Sequence, residues 1–212
     1  MKKATFLFIV LATMFVISTL VKPYPLSWAI KLLPMLLLMG LAWQQLGFEK
    51  ENKYFLLGLA FSICGDFILD YDGNNWFIFG LGAFFIAHIF YIASLKPYTK
   101  ALFQVKYLIV LSIYLAYGGV MLTLLAAGLG EMFVPVLAYM SILLFMALTT
   151  VVSEKSNIWL VLGGMSFVIS DSLIGFDKFY MEIDHSHFYV MITYYFAQFA
   201  LLNGFIKAKI RN

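Results

Sequence analysis

Ile158-Trp159-Leu160-Val161-Leu162-Gly163-Gly164-Met165-Ser166-Phe167-Val168-Ile169-Ser170-Asp171-Ser172-Leu173-Ile174-Gly175-Phe176 is the stretch that decides the fold. A helix that crosses a bilayer needs about 20 mostly apolar residues, and this run supplies them with a single ionisable group, Asp171. Inserting an aspartate at that depth costs on the order of 3 kcal/mol, so an acid inside a span is by default a functional hypothesis. The stretch therefore reads both as a transmembrane helix, at about 157–177, and as a helix carrying chemistry.

The rest of the chain agrees. Of its 212 residues 63% are hydrophobic and 12% charged, against roughly 45–50% and about 25% in soluble domains. One water-soluble core cannot hide that much apolar surface, so lipid is the expected solvent. The expectation is an all-α polytopic membrane protein forming a single transmembrane domain over residues 1–212. Eight transmembrane helices are expected, at about 4–21, 26–44, 54–70, 75–95, 106–127, 132–152, 157–177 and 188–206. Turn and charged residues mark the short connections: Lys22-Pro23-Tyr24-Pro25, Glu49 to Lys53, Asp72 to Asn75, Lys96-Pro97, Gly128 to Glu131, and Ser153 to Asn157. Met1-Lys2-Lys3 and the apolar run to Val21 lack a small-x-small cleavage site, and read as the first span rather than a signal peptide.

Loop cations set the expected orientation. Lys2, Lys3, Lys50, Lys53, Lys96, Lys100, Lys106, Lys155, Lys207, Lys209 and Arg211 fall on one side, and only Lys22 and Lys178 on the other. Acidic loop residues, Asp70, Asp72, Glu131, Asp177, Glu182 and Asp184, favour the second side. Both termini are thus expected in the cytoplasm (N-in/C-in). The single cysteine, Cys64, excludes an internal disulfide and a multi-cysteine metal site, and reads as a small core residue.

Polar residues recur at one depth. With a rise of about 1.5 Å per residue, Asp66 and Asp171 lie about four and six residues from the outer ends of spans three and seven. Lys31 lies about five residues in from the outer end of span two. Tyr139, Thr193, Tyr194 and Tyr195 fall nearby, Gln198 deeper, and His88 near the middle of span four. Lys31 could equally snorkel to the head groups, His88 could satisfy a neighbouring carbonyl, and tyrosines populate interfacial belts without a catalytic reason. Gly65-Asp66-Phe67-Ile68-Leu69 and Ser170-Asp171-Ser172-Leu173-Ile174 share a small-Asp-x-apolar-apolar pattern, a sign of two four-span halves. The expectation is one partly dry cavity beneath the outer head groups that both aspartates face. Two carboxylates there would separate in proton affinity, giving an acid and a base or electrostatic stabiliser. Such a pair suits reactions through an oxocarbenium-like cation, peptide hydrolysis or proton-coupled transport. Lys31 and Lys178 could each receive a phosphate as a point charge.

Six segments resemble one family. They are Lys31-Leu32-Leu33-Pro34-Met35, Gly65-Asp66, Gly80-Leu81-x-x-Phe84-x-x-Ala87-His88-x-x-Tyr91, Pro135-Val136-x-x-Tyr139, Ser166 to Leu173 with Lys178-Phe179, and Thr193-Tyr194-Tyr195-x-x-Gln198. Together they look like the YhhN-like membrane family, which includes the lysoplasmalogenases. The resemblance implies hydrolysis of the vinyl ether bond of a lysophospholipid, giving a fatty aldehyde and a glycerophospho-ethanolamine or -choline. It implies Asp66 and Asp171 as catalytic residues; Lys31, His88, Tyr139, Tyr194, Gln198 and Lys178 are expected to bind the substrate. The bacterial inner membrane is the expected location. No cofactor, metal or nucleic-acid partner is expected; Asp184-His185-Ser186-His187 reads as an exposed loop. The acidic segment Asp70 to Asn75 departs from the apolar character expected there and bears on substrate preference. The rival reading is a proton-coupled transporter using the same aspartates; Gly and Pro interruptions do not pair up as inverted repeats would require.

Overall fold

The computed structural model describes residues 2–49, 52–73, 75–95 and 104–211; Lys50, Lys96 and Lys100, used above for orientation, lie outside them. Among the described residues all regular structure is helical. The α-helices are α1 (Lys2–Ser18), α2 (Ser27–Leu46), α3 (Lys53–Asp72), α4 (Phe77–Leu95), α5 (Val105–Leu129), α6 (Phe133–Val152), α7 (Ile158–Phe179) and α8 (Ser186–Arg211). Helix suits these runs because it satisfies every backbone group within the segment, the condition for residing in hydrocarbon.

Among the described residues seven helical stretches, not eight, are long and apolar enough to cross a membrane. The correction falls at Gly128 to Glu131, read from sequence as a loop. There α5 passes through a 3-10 turn, Gly130–Met132, directly into α6, so that Val105–Val152 is one helical stretch of 48 residues. Gly130 at φ +47° lets the chain reverse, in a conformation a side chain would strain. Leu148 and Val152 of α6 then pack against Tyr107, Val110, Leu111 and Tyr114 of α5, so the two helices lie side by side.

The chain divides into two compact units, Met1–Ser94 and Leu95–Asn212. In the first, α1 to α4 bury Phe15, Met35, Leu38, Ala42, Phe55, Leu59 and Tyr91. The Tyr91 ring of α4 lies 5.5 Å from that of Phe55 on α3. A Cβ on Gly58 would come within 2.5 Å of that tyrosine ring, so only glycine lets α3 and α4 approach this closely.

In the second unit α7 and α8 make the closest pairing. A Cβ on Gly163 would meet the backbone nitrogen of Leu201 at 2.9 Å. Two serines stitch the same pair: Ser166 Oγ donates to the Thr193 carbonyl at 2.8 Å and Ser170 Oγ to that of Val190 at 3.2 Å. Helix α7 starts at Asn157, whose side-chain oxygen accepts from the backbone nitrogens of Trp159 and Leu160, removing two of the orphan donors at that end.

Candidate functional site

Helical periodicity delivers Asp66 to the interior of the first unit. Phe55, Leu59, Ser62 and Asp66 recur on α3 at steps of three and four, the spacing of one helix face, and all are buried, Asp66 to 2%. On α2 the same spacing joins Lys31, Met35, Leu38 and Ala42, equally buried. Facing stripes set the Lys31 Nζ 3.3 Å from Asp66 Oδ1 and 4.0 Å from Asp70 Oδ1. Asp70, one turn beyond Asp66, also accepts from Lys22 Nζ and, at 2.5 Å, from Ser27 Oγ. Two ammonium groups and two carboxylates thus form one network. Burial, the largest influence on Lys22, pulls its ammonium below the ordinary lysine value, against the opposing pull of Asp70.

Sequence reasoning placed Asp70 among loop acids, yet its side chain is 2% exposed. The missed signal was its separation of four residues from Asp66, which puts both on one face. Cys64, read as a core residue, is exposed on α3, because it sits two positions from Asp66, about 200° round the helix. His88 is fully buried on α4, its ring 6.5 Å from that of Tyr91. The Tyr91 hydroxyl in turn lies 3.3 Å from Ser62 Oγ.

The second unit repeats the pattern with different partners. Tyr139, Leu143, Met146 and Thr150 form the buried stripe of α6. From it the Tyr139 hydroxyl donates a short hydrogen bond to Asp171 Oδ2 on α7. Ser172 beside it receives the Tyr117 hydroxyl of α5 at 2.6 Å, a contact not anticipated from sequence, since a tyrosine in an apolar helix has no distinguishing neighbour. Tyr194 and Gln198 are buried on α8, where Gln198 Nε2 donates to the Tyr194 hydroxyl at 3.3 Å. The Tyr194 ring stands edge-on to Phe167 at 5.6 Å, one turn before Asp171. Lys178 is exposed in the last turn of α7.

Each unit therefore sets a carboxylate against a donor from its own second helix: an ammonium for the buried Asp66, a phenol for the partly buried Asp171. Either arrangement can hold a carboxylate in a fixed orientation in a poorly hydrated setting, the requirement for a positioned acid, base or electrostatic stabiliser. Among the described residues, no three His, Cys, Asp or Glu side chains gather as metal ligands would.

Comparison with known proteins adds a family. The model of the YhhN family matches residues 26–205. The chain is 28% identical over 160 residues to the lysoplasmalogenase of Mycobacterium bovis, covering 74% of this chain and 61% of that protein. It is 28% identical over 190 residues to lysoplasmalogenase TMEM86B of Homo sapiens, covering 87% and 79%. With the Mus musculus protein of the same name it shares 30% over 183 residues, covering 85% and 76%. The match spans under two thirds of the mycobacterial relative's length. No solved structure matches the chain.

Proposed function

The chain belongs to the YhhN family, and on that premise we propose that it is an intramembrane hydrolase that cleaves the vinyl ether bond of lysoplasmalogens. One observation carries the reading. In each unit an aspartate on the third helix is held by a donor on the second, Asp66 buried and Asp171 partly so, an expensive arrangement for a protein in lipid unless the acids do work.

Vinyl ether hydrolysis asks for the chemistry such acids supply. In the proposed reaction one aspartic acid gives its proton to the β-carbon of the alkenyl group, leaving an oxocarbenium ion. Water adds to the α-carbon and passes a proton to the second aspartate, giving a hemiacetal. The hemiacetal hydroxyl returns a proton to the first aspartate as the C–O bond breaks, and the second aspartate protonates the departing glyceryl oxygen. Aldehyde and glycerophospho-base leave, one water is consumed, and both carboxyl groups are restored. Positioned proton transfer of this kind contributes about 10²–10⁴-fold each.

In this proposal the substrate is a lysophospholipid drawn from the surrounding bilayer. Lys178, exposed at the end of α7, is the cation offered to its phosphate, and His88, Tyr194 and Gln198 are read as further substrate-binding residues. Both termini lie in the cytoplasm in this proposal, a reading the loop cations support, and the membrane is a bacterial inner membrane.

The test is direct. Purified protein in lipid nanodiscs, given lysoplasmenyl-ethanolamine in deuterated water, should release fatty aldehyde with one deuterium at the carbon next to the carbonyl. Absence of aldehyde, or aldehyde without that deuterium, overturns the reaction and returns the transporter reading.

A further inference from the structure

The two units use one device twice. On the third helices Asp66 lies thirteen residues after Lys53, and Asp171 thirteen after Ile158. Eight residues before each acid stands a glycine, Gly58 or Gly163, at which the fourth helix presses close, through Tyr91 or Leu201. On the second helices Lys31, Met35, Leu38 and Ala42 have the spacing of Tyr139, Leu143, Met146 and Thr150, and every one of the eight is buried. The first member of each stripe holds the aspartate of its unit. Register matches, both second-helix stripes are buried, and each stripe's first member meets its unit's aspartate. The donor chemistry differs, Asp66 is more buried than Asp171, and Lys31 alone also approaches a second carboxylate, Asp70.

From this correspondence we propose that Lys31 and Tyr139 are equivalent positioning residues, each aiming the aspartate of its own unit, and not contacts to the lipid head group. The geometry carries it: Lys31 is 5% and Tyr139 8% exposed, and the polar atom of each is engaged by a carboxylate. A group so placed acts on substrate through the acid it orients. The same pairing explains why a lysine and a phenol can occupy matching positions. Each supplies a donor at the end of a side chain long enough to reach the third helix.

The inference rests on the hydrolase reading for its kinetic arm only. Tyr139→Phe keeps the buried ring and removes the hydroxyl; Lys31→Met keeps the length and removes the charge. Each should lower kcat by about 10-fold or more, the scale of a displaced catalytic group, with KM for lysoplasmenyl-ethanolamine unchanged. Lys31→Arg should recover most of the lost kcat. Infrared spectra of protein carrying ¹³C-labelled aspartate should show one carboxyl band displaced in Tyr139→Phe and a different one in Lys31→Met. A raised KM with kcat intact would make them substrate contacts and overturn the proposal, as would unshifted bands. Should the wild type release no aldehyde, the hydrolase reading falls by itself, and the infrared bands still decide whether these residues position the acids.

Discussion

Asp70 illustrates how far a single residue's role depends on what faces it. Read along the chain it is one of several acids at a helix end, marked out only by lying four residues from Asp66. Folded, it gathers Lys22, Ser27 and Lys31 and ties the connection between α1 and α2 to the end of α3. Removing one member of a buried ionic network strands the others, at a cost on the order of 3–5 kcal/mol. Asp70→Ala should therefore lower stability by about 3 kcal/mol, read as a clear fall in thermal midpoint in detergent; an unchanged midpoint would reduce the network to a surface ornament. Asp66, Asp171, Lys31 and Tyr139 were legible in the sequence because an ionisable or polar group deep in an apolar run is costly and so conspicuous. Which of them touch was not legible, since contact depends on how two stripes face each other. Tyr117 and Ser172 were missed for the same reason.

Helices fix where those residues can go. Span reading placed most of the helices within a few residues, because lipid demands long apolar runs and leaves few alternatives. It failed between α5 and α6, where Gly128, Gly130 and Glu131 are turn-forming residues by composition. The chain does reverse there, but through a 3-10 turn that continues the helical run, a distinction composition does not carry. Gly128 has a second duty: a Cβ there would sit 1.9 Å from the Phe179 carbonyl oxygen at the end of α7. Backbone meets backbone at this point, so no rotamer change can relieve the clash. Gly128→Ala should push α5 from α7 and destabilise the second unit by about 1–3 kcal/mol, the usual range for overpacking, measured by thermal unfolding. A neutral result would mean the approach of α5 to α7 is looser than described.

At the scale of the whole molecule, composition alone established a helical chain with lipid as its solvent, and spacing suggested two halves. The two compact units, each of four helices, carry an acid at the same place in the third helix, and that regularity joins the fold to the proposed chemistry. The hydrolysis proposed above is a reaction that two positioned carboxylates can perform without redox steps. The decisive measurement is aldehyde release from lysoplasmenyl-ethanolamine by Asp66→Asn and by Asp171→Asn, each checked for an unchanged helical spectrum. The account predicts that either substitution alone lowers turnover by about 10²-fold or more. Wild-type turnover in both variants would contradict it.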